Sequence, residues 1–400
     1  MNFPTRWKRV SAGVVLLAGG TLVAHQLTAS PVLATVALGS APIAVAVDLD
    51  RAHVFVLDRG DGIRAGSVTM LQATDGTVLG RVGVGLYPLA LAVDARLGHV
   101  YVANSVSNTV SVLDSATGAL LRTIRVGRNP GNLAVDERTG QVVVSNQGAN
   151  TVTVLDGRTG AIERTVALLA GPGALAVDAS RGQVFVAEAD AASVAMLDLA
   201  TGRVAWQRVV GYDPVALALD PGTRHVFVAA QRAGRICMLD ARSGRVLVAA
   251  VRIGGPSAVA IDARIGRAFV ANYVTRGGHA TLSLLDTRTG AVLGTARVGA
   301  GAEAVAVDAA SGRVLVPNNA DDTVSVVEAR TGAVVGTIAL PGSPVAVAVD
   351  ERLHRAYISA IPSDRGTLLD RARRGIAGFF NGSLAGASDH GTVTVISTSG

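Results

Sequence analysis

The sequence predicts an all-β protein, a β-propeller of eight four-stranded antiparallel blades. A short apolar motif that ends in aspartate recurs eight times, and successive copies lie 42 or 46 residues apart. This period is typical of propeller blades. Each repeat contains four short runs of β-branched residues separated by turn residues, and none contains a long apolar segment of helical period. Four-stranded sheets repeated in this way form a ring, for which seven blades is the alternative count.

The first strand of each repeat begins at a proline and ends at the recurring aspartate. The aspartates are Asp48, Asp94, Asp136, Asp178, Asp220, Asp262, Asp308 and Asp350. Six residues before them lie Pro42, Pro88, Pro130, Pro172, Pro214, Pro256 and Pro344, with Ala302 as the exception. Proline suits a strand start because it donates no hydrogen bond to the ladder. Small residues lie between the proline and the aspartate, and they suit strands that converge around a narrow channel. The aspartate begins a turn.

The two ends of the chain predict how the ring closes. The eighth repeat stops after its third strand, near residue 400. Residues 32–39, with the sequence Val-Leu-Ala-Thr-Val-Ala-Leu-Gly, match the fourth-strand pattern of residues 292–299. We therefore expect the N-terminal strand to complete the last blade, which removes an open sheet edge. Residues 31–400 are then a single propeller domain.

Several strings in the repeats resemble those of the YVTN-type, YncE-like β-propellers. They are Val100-Tyr101-Val102-Ala103-Asn104, Ala268-Phe269-Val270-Ala271-Asn272 and Asn108-Thr109-Val110-Ser111-Val112-Leu113-Asp114. The resemblance covers the chain from residue 31 onward and implies the propeller fold. Related rings include surface-layer and adhesion-like proteins, a periplasmic protein that binds single-stranded DNA, and quinoprotein dehydrogenase or lactonase-like enzymes, so the resemblance implies no single function. Propellers of this group usually have seven blades, whereas this sequence has eight repeats.

Residues 1–30 have the organisation of an export signal. Arg6, Lys8 and Arg9 precede an uncharged stretch at residues 10–24, which is the order of the n-region and h-region. This stretch is shorter than the roughly twenty residues of a membrane-spanning helix. Because no good cleavage motif follows, an N-terminal anchor in contact with the membrane is the alternative to a cleaved signal peptide. In both cases we expect the body of the protein to be extracytoplasmic: periplasmic, secreted or membrane-anchored.

The basic residues do not form the pattern of a nucleic-acid groove. The formal net charge is +6, and Lys8 is the sole lysine. The arginines are scattered through turns, as at Arg158 and Arg288, and aromatic residues make up only 4% of the chain. A groove for nucleic acid needs clustered basic charge and stacking platforms. The pattern argues against nucleic acid and favours a protein or a small polar ligand as the partner of a monomeric ring.

The irregularities of the repeat fall on one predicted face of the ring. This loop face carries the connections from the fourth strand of one blade to the first strand of the next, and those from second to third strands. Repeats one and six each gain four residues in the second kind of connection, and repeat eight has a long insertion at about residues 361–391. Insertions clustered on one face are typical of a binding surface.

The long insertion has the pattern of a short amphipathic helix. Leu369, Phe379 and Phe380 lie on its apolar side, whereas Arg373 and Arg374 lie mostly elsewhere. We expect this helix to pack over the ring as a lid. Docking of a partner and contact with an anionic membrane surface are the alternatives.

Polar and aromatic side chains are predicted to converge on the loop face. Those at the ends of second strands are Asn104, Asn146, Glu188, Asn272 and Asn318, and those on neighbouring connections are Tyr212, Asp213, Tyr273 and Arg276. As a candidate binding face they suit a polar ligand or a protein. The competing interpretation is that asparagine at a strand end bonds local groups and recurs because the repeat recurs.

No motif of catalysis or metal binding is recognisable, and we predict no cofactor. His53, His99 and His225 recur in turns of the opposite face, which favours a solvated turn role. Cys237 is the sole cysteine and fits a small strand position better than a reactive thiol. We therefore predict a non-catalytic scaffold for binding or protein interaction. The alternative is a metal- or cofactor-dependent hydrolase or oxidoreductase, lactonase-like or quinoprotein-dehydrogenase-like, with its site at the central channel.

Overall fold

The computed structural model describes residues 31–39, 41–60, 64–273, 280–363 and 390–399. They form eight sheets of four antiparallel strands, which confirms the predicted all-β propeller and its eight blades. The helical element of the described residues is one turn of 3-10 helix, Gln147–Ala149. No helix in these ranges is long and apolar enough to cross a membrane.

The strands are numbered in chain order, and each blade is given from its innermost to its outermost strand. Blade 1 contains β2 (Pro42–Asp48), β3 (His53–Asp58), β4 (Ala65–Gln72) and β5 (Val78–Leu86), and blade 2 contains β6 (Pro88–Asp94), β7 (His99–Asn104), β8 (Thr109–Asp114) and β9 (Leu120–Arg125). Blade 3 contains β10 (Pro130–Asp136), β11 (Gln141–Asn146), β12 (Thr151–Asp156) and β13 (Ile162–Ala167), and blade 4 contains β14 (Pro172–Asp178), β15 (Gln183–Glu188), β16 (Ser193–Asp198) and β17 (Arg203–Val209). Blade 5 contains β18 (Pro214–Asp220), β19 (His225–Ala230), β20 (Arg235–Asp240) and β21 (Val246–Arg252), and blade 6 contains β22 (Pro256–Asp262), β23 (Arg267–Asn272), β24 (Thr281–Asp286) and β25 (Val292–Arg297). Blade 7 contains β26 (Ala306–Asp308), β27 (Arg313–Asn318), β28 (Thr323–Glu328) and β29 (Val334–Ala339), and blade 8 contains β30 (Ser343–Asp350), β31 (Arg355–Ile361), β32 (Thr392–Ser397) and β1 (Val32–Ala37).

The proline and aspartate positions set the two ends of the innermost strands. Proline is the first residue of this strand in blades 1 to 6 and the second residue in blade 8. In blade 7, which has Ala302 instead, the innermost strand shrinks to three residues and Ala302 forms only an isolated bridge with Asn318. At the other end, the buried Asp48 carboxylate accepts the backbone N–H groups of Asp50 and Arg51 at 3.1 and 3.2 Å, which begins the turn.

The hydrophobic core is divided into eight clusters, one between each pair of neighbouring blades. The second and third strands are buried along most of their length because blades cover both of their faces, and such strands read as continuous apolar runs. One cluster joins the last blade to the first, where Tyr357 and Val395 pack with Val54 and Leu71. The ring of interfaces is therefore closed.

The first strand of the chain lies in the last blade. β1 pairs antiparallel with β32, and Val36 lies opposite Val393. Backbone hydrogen bonds extend this pairing at both ends, from Leu38 N–H to the Gly391 carbonyl (2.8 Å) and from Ser397 N–H to the Pro31 carbonyl (2.7 Å). β1 thus occupies the fourth-strand place of blade 8, where the sequence pattern put it.

Arginines in the turns of the opposite face tie neighbouring blades together. Arg51 Nη1 donates to the Ala95 carbonyl of blade 2 at 2.8 Å, and Arg96 Nε donates to the Glu137 carbonyl of blade 3 at 2.6 Å. A guanidinium is suited to this role because it presents several donors in a fixed geometry. The scattered arginines of the sequence therefore have a structural use at blade junctions.

Candidate functional site

The asparagines that end the second strands are buried within their own blades. Asn104 is fully buried, and its Nδ2 donates to Thr109 Oγ1 at 3.1 Å and to Ser111 Oγ at 3.0 Å, both on the third strand. Its Oδ1 accepts the N–H of Gly85 at 3.0 Å. Asn146, Asn272 and Asn318 are equally buried and repeat the two bonds to third-strand hydroxyls. These amides fasten the loop-face ends of the strands.

Glu188 occupies the same position in blade 4 and is bonded to three parts of the blade. Its carboxylate accepts the Leu169 N–H at 2.9 Å, the Ser193 hydroxyl at 2.7 Å and the Gln207 side-chain amide. Ala195 stands here where other blades have a second hydroxyl, so the longer glutamate reaches Gln207 on the outer strand instead. A fully buried carboxylate needs such partners.

The exposed members of the predicted face are the residues on its connections. Tyr212 is 75% exposed and Tyr273 is 41% exposed. Asp213 is partly buried, and its carboxylate lies 3.4 Å from Arg232 Nε. Arg276 and the insertion residues Leu369, Arg373, Arg374, Phe379 and Phe380 lie outside the described residues, as does the predicted segment 1–30. The structure therefore presents Tyr212, Asp213 and Tyr273 to solvent and keeps the asparagines and Glu188 inside.

A cavity of about 630 Å³ opens on the loop face where the innermost strands of blades 5 to 7 begin. Its lining residues are Val215, Gln231, Gly255, Ser257, Tyr273 and Glu303. Cavities of this size accommodate small molecules or inserted side chains. A smaller cavity of about 220 Å³ lies between blades 1 and 2 and is lined mainly by core side chains such as Phe55 and Met70. The larger cavity is the candidate site because it opens on the loop face and its lining includes the side chains of Gln231, Tyr273 and Glu303.

Glu303 is the charged group of this cavity, and it was not among the predicted residues. Its side chain is exposed to the cavity, yet the surrounding protein removes enough water to raise its pKa above the usual range for glutamate. Ser257 Oγ donates to the Ala302 carbonyl at 2.6 Å and so fixes the backbone directly before Glu303. One signal for this position was present in the sequence: Glu303 directly follows Ala302, which stands where the other seven repeats have proline.

The histidines and the cysteine have structural contacts. His53 Nδ1 lies 2.8 Å from the Ser115 carbonyl and His225 Nδ1 lies 2.8 Å from the Thr287 carbonyl, in both cases on the next blade. Cys237 is buried, its Sγ contacts the Val210 carbonyl at 2.9 Å, and burial raises the pKa of the thiol. The histidines thus join blades rather than occupying freely solvated turns. Among the described residues, no three His, Cys, Asp or Glu side chains come together as metal ligands do.

Comparison of the sequence with family models identifies the group to which this propeller belongs. Residues 84–398 match the model described as YNCE-like beta-propeller. The chain belongs to the YncE-like β-propeller family. The match spans blades 2 to 7 of this YncE-like ring and three strands of blade 8, and it leaves β1 and most of blade 1 outside. No curated protein matches the sequence.

Three solved structures resemble this YncE-like propeller in fold at low sequence identity. Kuenenia stuttgartiensis hydrazine synthase has 18% identity and a TM-score of 0.57, over 78% of this chain and 100% of that chain. Dihydro-heme d1 dehydrogenase NirN in complex with DHE has 18% identity and a TM-score of 0.62, over 84% of this chain and 70% of that chain. BamB from Moraxella catarrhalis has 14% identity and a TM-score of 0.62, over 91% and 99%. At these identities the similarity concerns the fold alone.

Proposed function

We propose that this protein is a non-catalytic, extracytoplasmic binding propeller that holds a protein partner on its loop face. The observation that carries the proposal is the position of its exposed tyrosines. The chain has five tyrosines, and the two that are exposed, Tyr212 and Tyr273, both lie on loop-face connections. Tyr273 also lines the candidate cavity. Exposed tyrosine is enriched at protein interfaces because it offers a large rigid contact surface with one polar group.

Two exposed aliphatic residues extend this surface. Val106 on the β7–β8 connection is 51% exposed, and Leu169 on the β13–β14 connection is 65% exposed. Both connections belong to the loop face. Asn104 and Thr109, at the two ends of the first connection, are joined by a side-chain hydrogen bond, and the Leu169 N–H of the second donates to Glu188. The backbone that presents these residues is therefore held in place. A surface fixed before binding loses little conformational entropy on association.

The arginine contacts favour a protein partner over a nucleic acid. Arg51 and Arg96 donate to backbone carbonyls across blade junctions, and Arg138 Nε donates to the Ala179 carbonyl at 2.5 Å in the same way. These guanidinium groups are engaged within the ring. We infer that the basic composition serves the blade junctions, and that the ring acts as a monomer with one partner on the loop face.

Site-specific photocrosslinking in the cells that make the full chain tests this proposal. A photoreactive phenylalanine analogue at Tyr212 is expected to give a discrete protein adduct. The matched control is the same analogue at Arg242, which is exposed on the β20–β21 turn of the opposite face. The protein in the adduct, identified by mass spectrometry, should bind the purified chain and lose affinity for a variant with Tyr212→Ala and Tyr273→Ala. Adducts only from Arg242, or unchanged affinity of the double variant, would refute the proposal.

The location has its own test. We infer export from the order of Arg6, Lys8 and Arg9 before the uncharged stretch at residues 10–24. A protease added to cells whose outer permeability barrier has been opened should degrade the chain while a cytoplasmic marker protein stays intact. Protection of the chain together with the marker would contradict an extracytoplasmic location.

A further inference from the structure

Three polar side chains of the loop-face cavity have no partner in the part of the chain that the structure describes. Among the described residues, the Gln231 amide, the Tyr273 hydroxyl and the Glu303 carboxylate have no hydrogen bond or ion pair. Their backbones are nevertheless fixed: Gln231 N–H donates to the Asp213 carbonyl at 2.8 Å and Tyr273 N–H donates to the Gly255 carbonyl at 2.9 Å. At the ends of the second strands, by contrast, the asparagine amides donate to third-strand hydroxyls and Glu188 accepts three hydrogen bonds. The polar groups of the three cavity side chains are available to a ligand.

Glu303 determines the charge of this cavity. Among the lining residues that the structure describes, it is the one acidic residue, and none of them is basic. Partial loss of water raises the pKa of the carboxyl, which means that the ionised form lacks compensation. A cation brought to Glu303 supplies that compensation and forms charge-assisted hydrogen bonds.

The other lining groups select the kind of cation. Tyr273 adds an aromatic ring to the lining of the cavity that contains the Glu303 carboxylate. Guanidinium groups stack on aromatic rings and donate two parallel hydrogen bonds to a carboxylate. The Gln231 side-chain amide, also in the lining, offers an oxygen as acceptor for a further N–H. Val215 adds an apolar side chain that suits the aliphatic part of an arginine.

We propose that this cavity binds the guanidinium group of an arginine side chain that the protein partner presents, with Glu303 as the counter-ion and Tyr273 as the stacking surface. This inference rests on the proposed function, because it names the group by which the partner docks. It also gives a role to the residue that follows Ala302, at the one repeat where proline is replaced.

The test measures binding of two blocked amino acids to the purified full chain by NMR titration. The probes are N-acetyl-arginine methylamide and the citrulline analogue, which has nearly the same shape without the charge. The arginine compound is expected to bind more tightly than the citrulline compound by about tenfold. Glu303→Gln should abolish this preference. The control Asp190→Asn, at an exposed loop-face carboxylate outside the cavity, should retain it.

The pH dependence separates a direct role of Glu303 from a change in folding. Arginine stays charged at all accessible pH values, so binding should weaken as pH falls through the raised pKa of the Glu303 carboxyl. In Glu303→Gln this dependence should be lost while the thermal midpoint stays close to that of the parent. Equal binding of both probes, or a retained preference in Glu303→Gln, would overturn the inference.

The two proposals fail in different ways. If a partner is captured through Tyr212 but the chain shows no preference for the arginine probe, the binding face is supported and the arginine site is refuted. Binding of the arginine probe at Glu303, without any partner adduct on the loop face, removes the protein-scaffold proposal and leaves a cavity for a small guanidinium compound.

Discussion

Val36 lies opposite Val393 in the antiparallel pairing between the first strand of the chain and the last. Along β1 the side chains alternate between half-buried and exposed, and Val36 packs against the cluster shared by blades 8 and 1. This alternation is what a strand shows when one face meets a core and the other meets water. One six-residue strand therefore carries the closure of a ring of eight blades.

Charged substitutions along β1 should report on this closure. Val36→Asp places an unpaired carboxylate against the cluster shared by blades 8 and 1, and we expect it to lower the free energy of unfolding by about 2–3 kcal/mol. Leu33→Asp, on the exposed side of the same strand, should change it by less than about 0.5 kcal/mol. Urea denaturation followed by circular dichroism makes the comparison. Equal midpoints for the two variants would show that β1 does not contribute to the core.

Removal of the Glu188 carboxylate should destabilise blade 4. In Glu188→Ala the Leu169 N–H, the Ser193 hydroxyl and the Gln207 amide lose their common acceptor, and we expect a loss of about 2–4 kcal/mol. Glu188→Gln keeps one acceptor oxygen and should cost less than half as much. The measurement is again the free energy of unfolding in urea. A fully stable alanine variant would mean that water replaces the carboxylate.

Glycine is required where the loop-face connections cross the buried asparagines. A Cβ at Gly299 would lie 2.6 Å from Asn318 Nδ2, whereas a Cβ at Gly336 has nothing within 4 Å. We expect Gly299→Ala to cost about 1–3 kcal/mol from overpacking. Gly336→Ala is the matched control on an outer strand and should be neutral or slightly stabilising. Thermal midpoints of the two variants, read by differential scanning calorimetry, test this difference.

Two buried tyrosines should make the ring sensitive to alkali. Burial raises the pKa of Tyr101 and of Tyr357 well above the usual value of 10, and the Tyr357 hydroxyl donates to the Ala73 carbonyl at 2.7 Å. The stability linked to such a group is fully present below the pKa of the unfolded state and is lost as pH rises above it. The slope should reach about 0.7 kcal/mol per pH unit for each tyrosine at pH 10 and approach about 1.4 kcal/mol per pH unit above pH 11.

Phenylalanine variants isolate that alkaline effect. The double variant Tyr101→Phe and Tyr357→Phe should show a smaller slope of stability against pH above about pH 10, since neither ring can ionise. Tyr212→Phe removes an exposed tyrosine and should leave the slope unchanged. The slopes come from urea denaturation at several pH values. An unchanged slope in the double variant would place the alkaline sensitivity elsewhere.

The repeat made the fold accessible from the sequence. Each blade depends on residues close together in the chain: a proline such as Pro130 at the strand start, an aspartate such as Asp136 at its end, and β-branched runs between glycine turns. Even the long-range pairing of β1 could be predicted from the sequence, because residues 32–39 have the pattern of the fourth strands in the other blades. Local chemistry repeated eight times leaves few alternative folds.

The site was less accessible because it depends on how side chains are directed and on how blades meet. The sequence shows Asn104 and Asn318 as polar residues at strand ends. Only the structure shows that their side chains are buried and donate hydrogen bonds to third-strand hydroxyls. The cavity combines Val215, Tyr273 and Glu303, which belong to three different blades. Glu303 occurs in one repeat only, and the recurrence of residues from repeat to repeat gives no signal for such a position.

The position of β1 also has a consequence for the order of events during synthesis. A ribosome makes this strand first, yet its partner β32 is near the opposite end of the chain. Until residues 392–397 are available, β1 has no place in a blade and its backbone groups remain unpaired. A nascent chain must therefore keep this short apolar segment from aggregating until the last blade is complete.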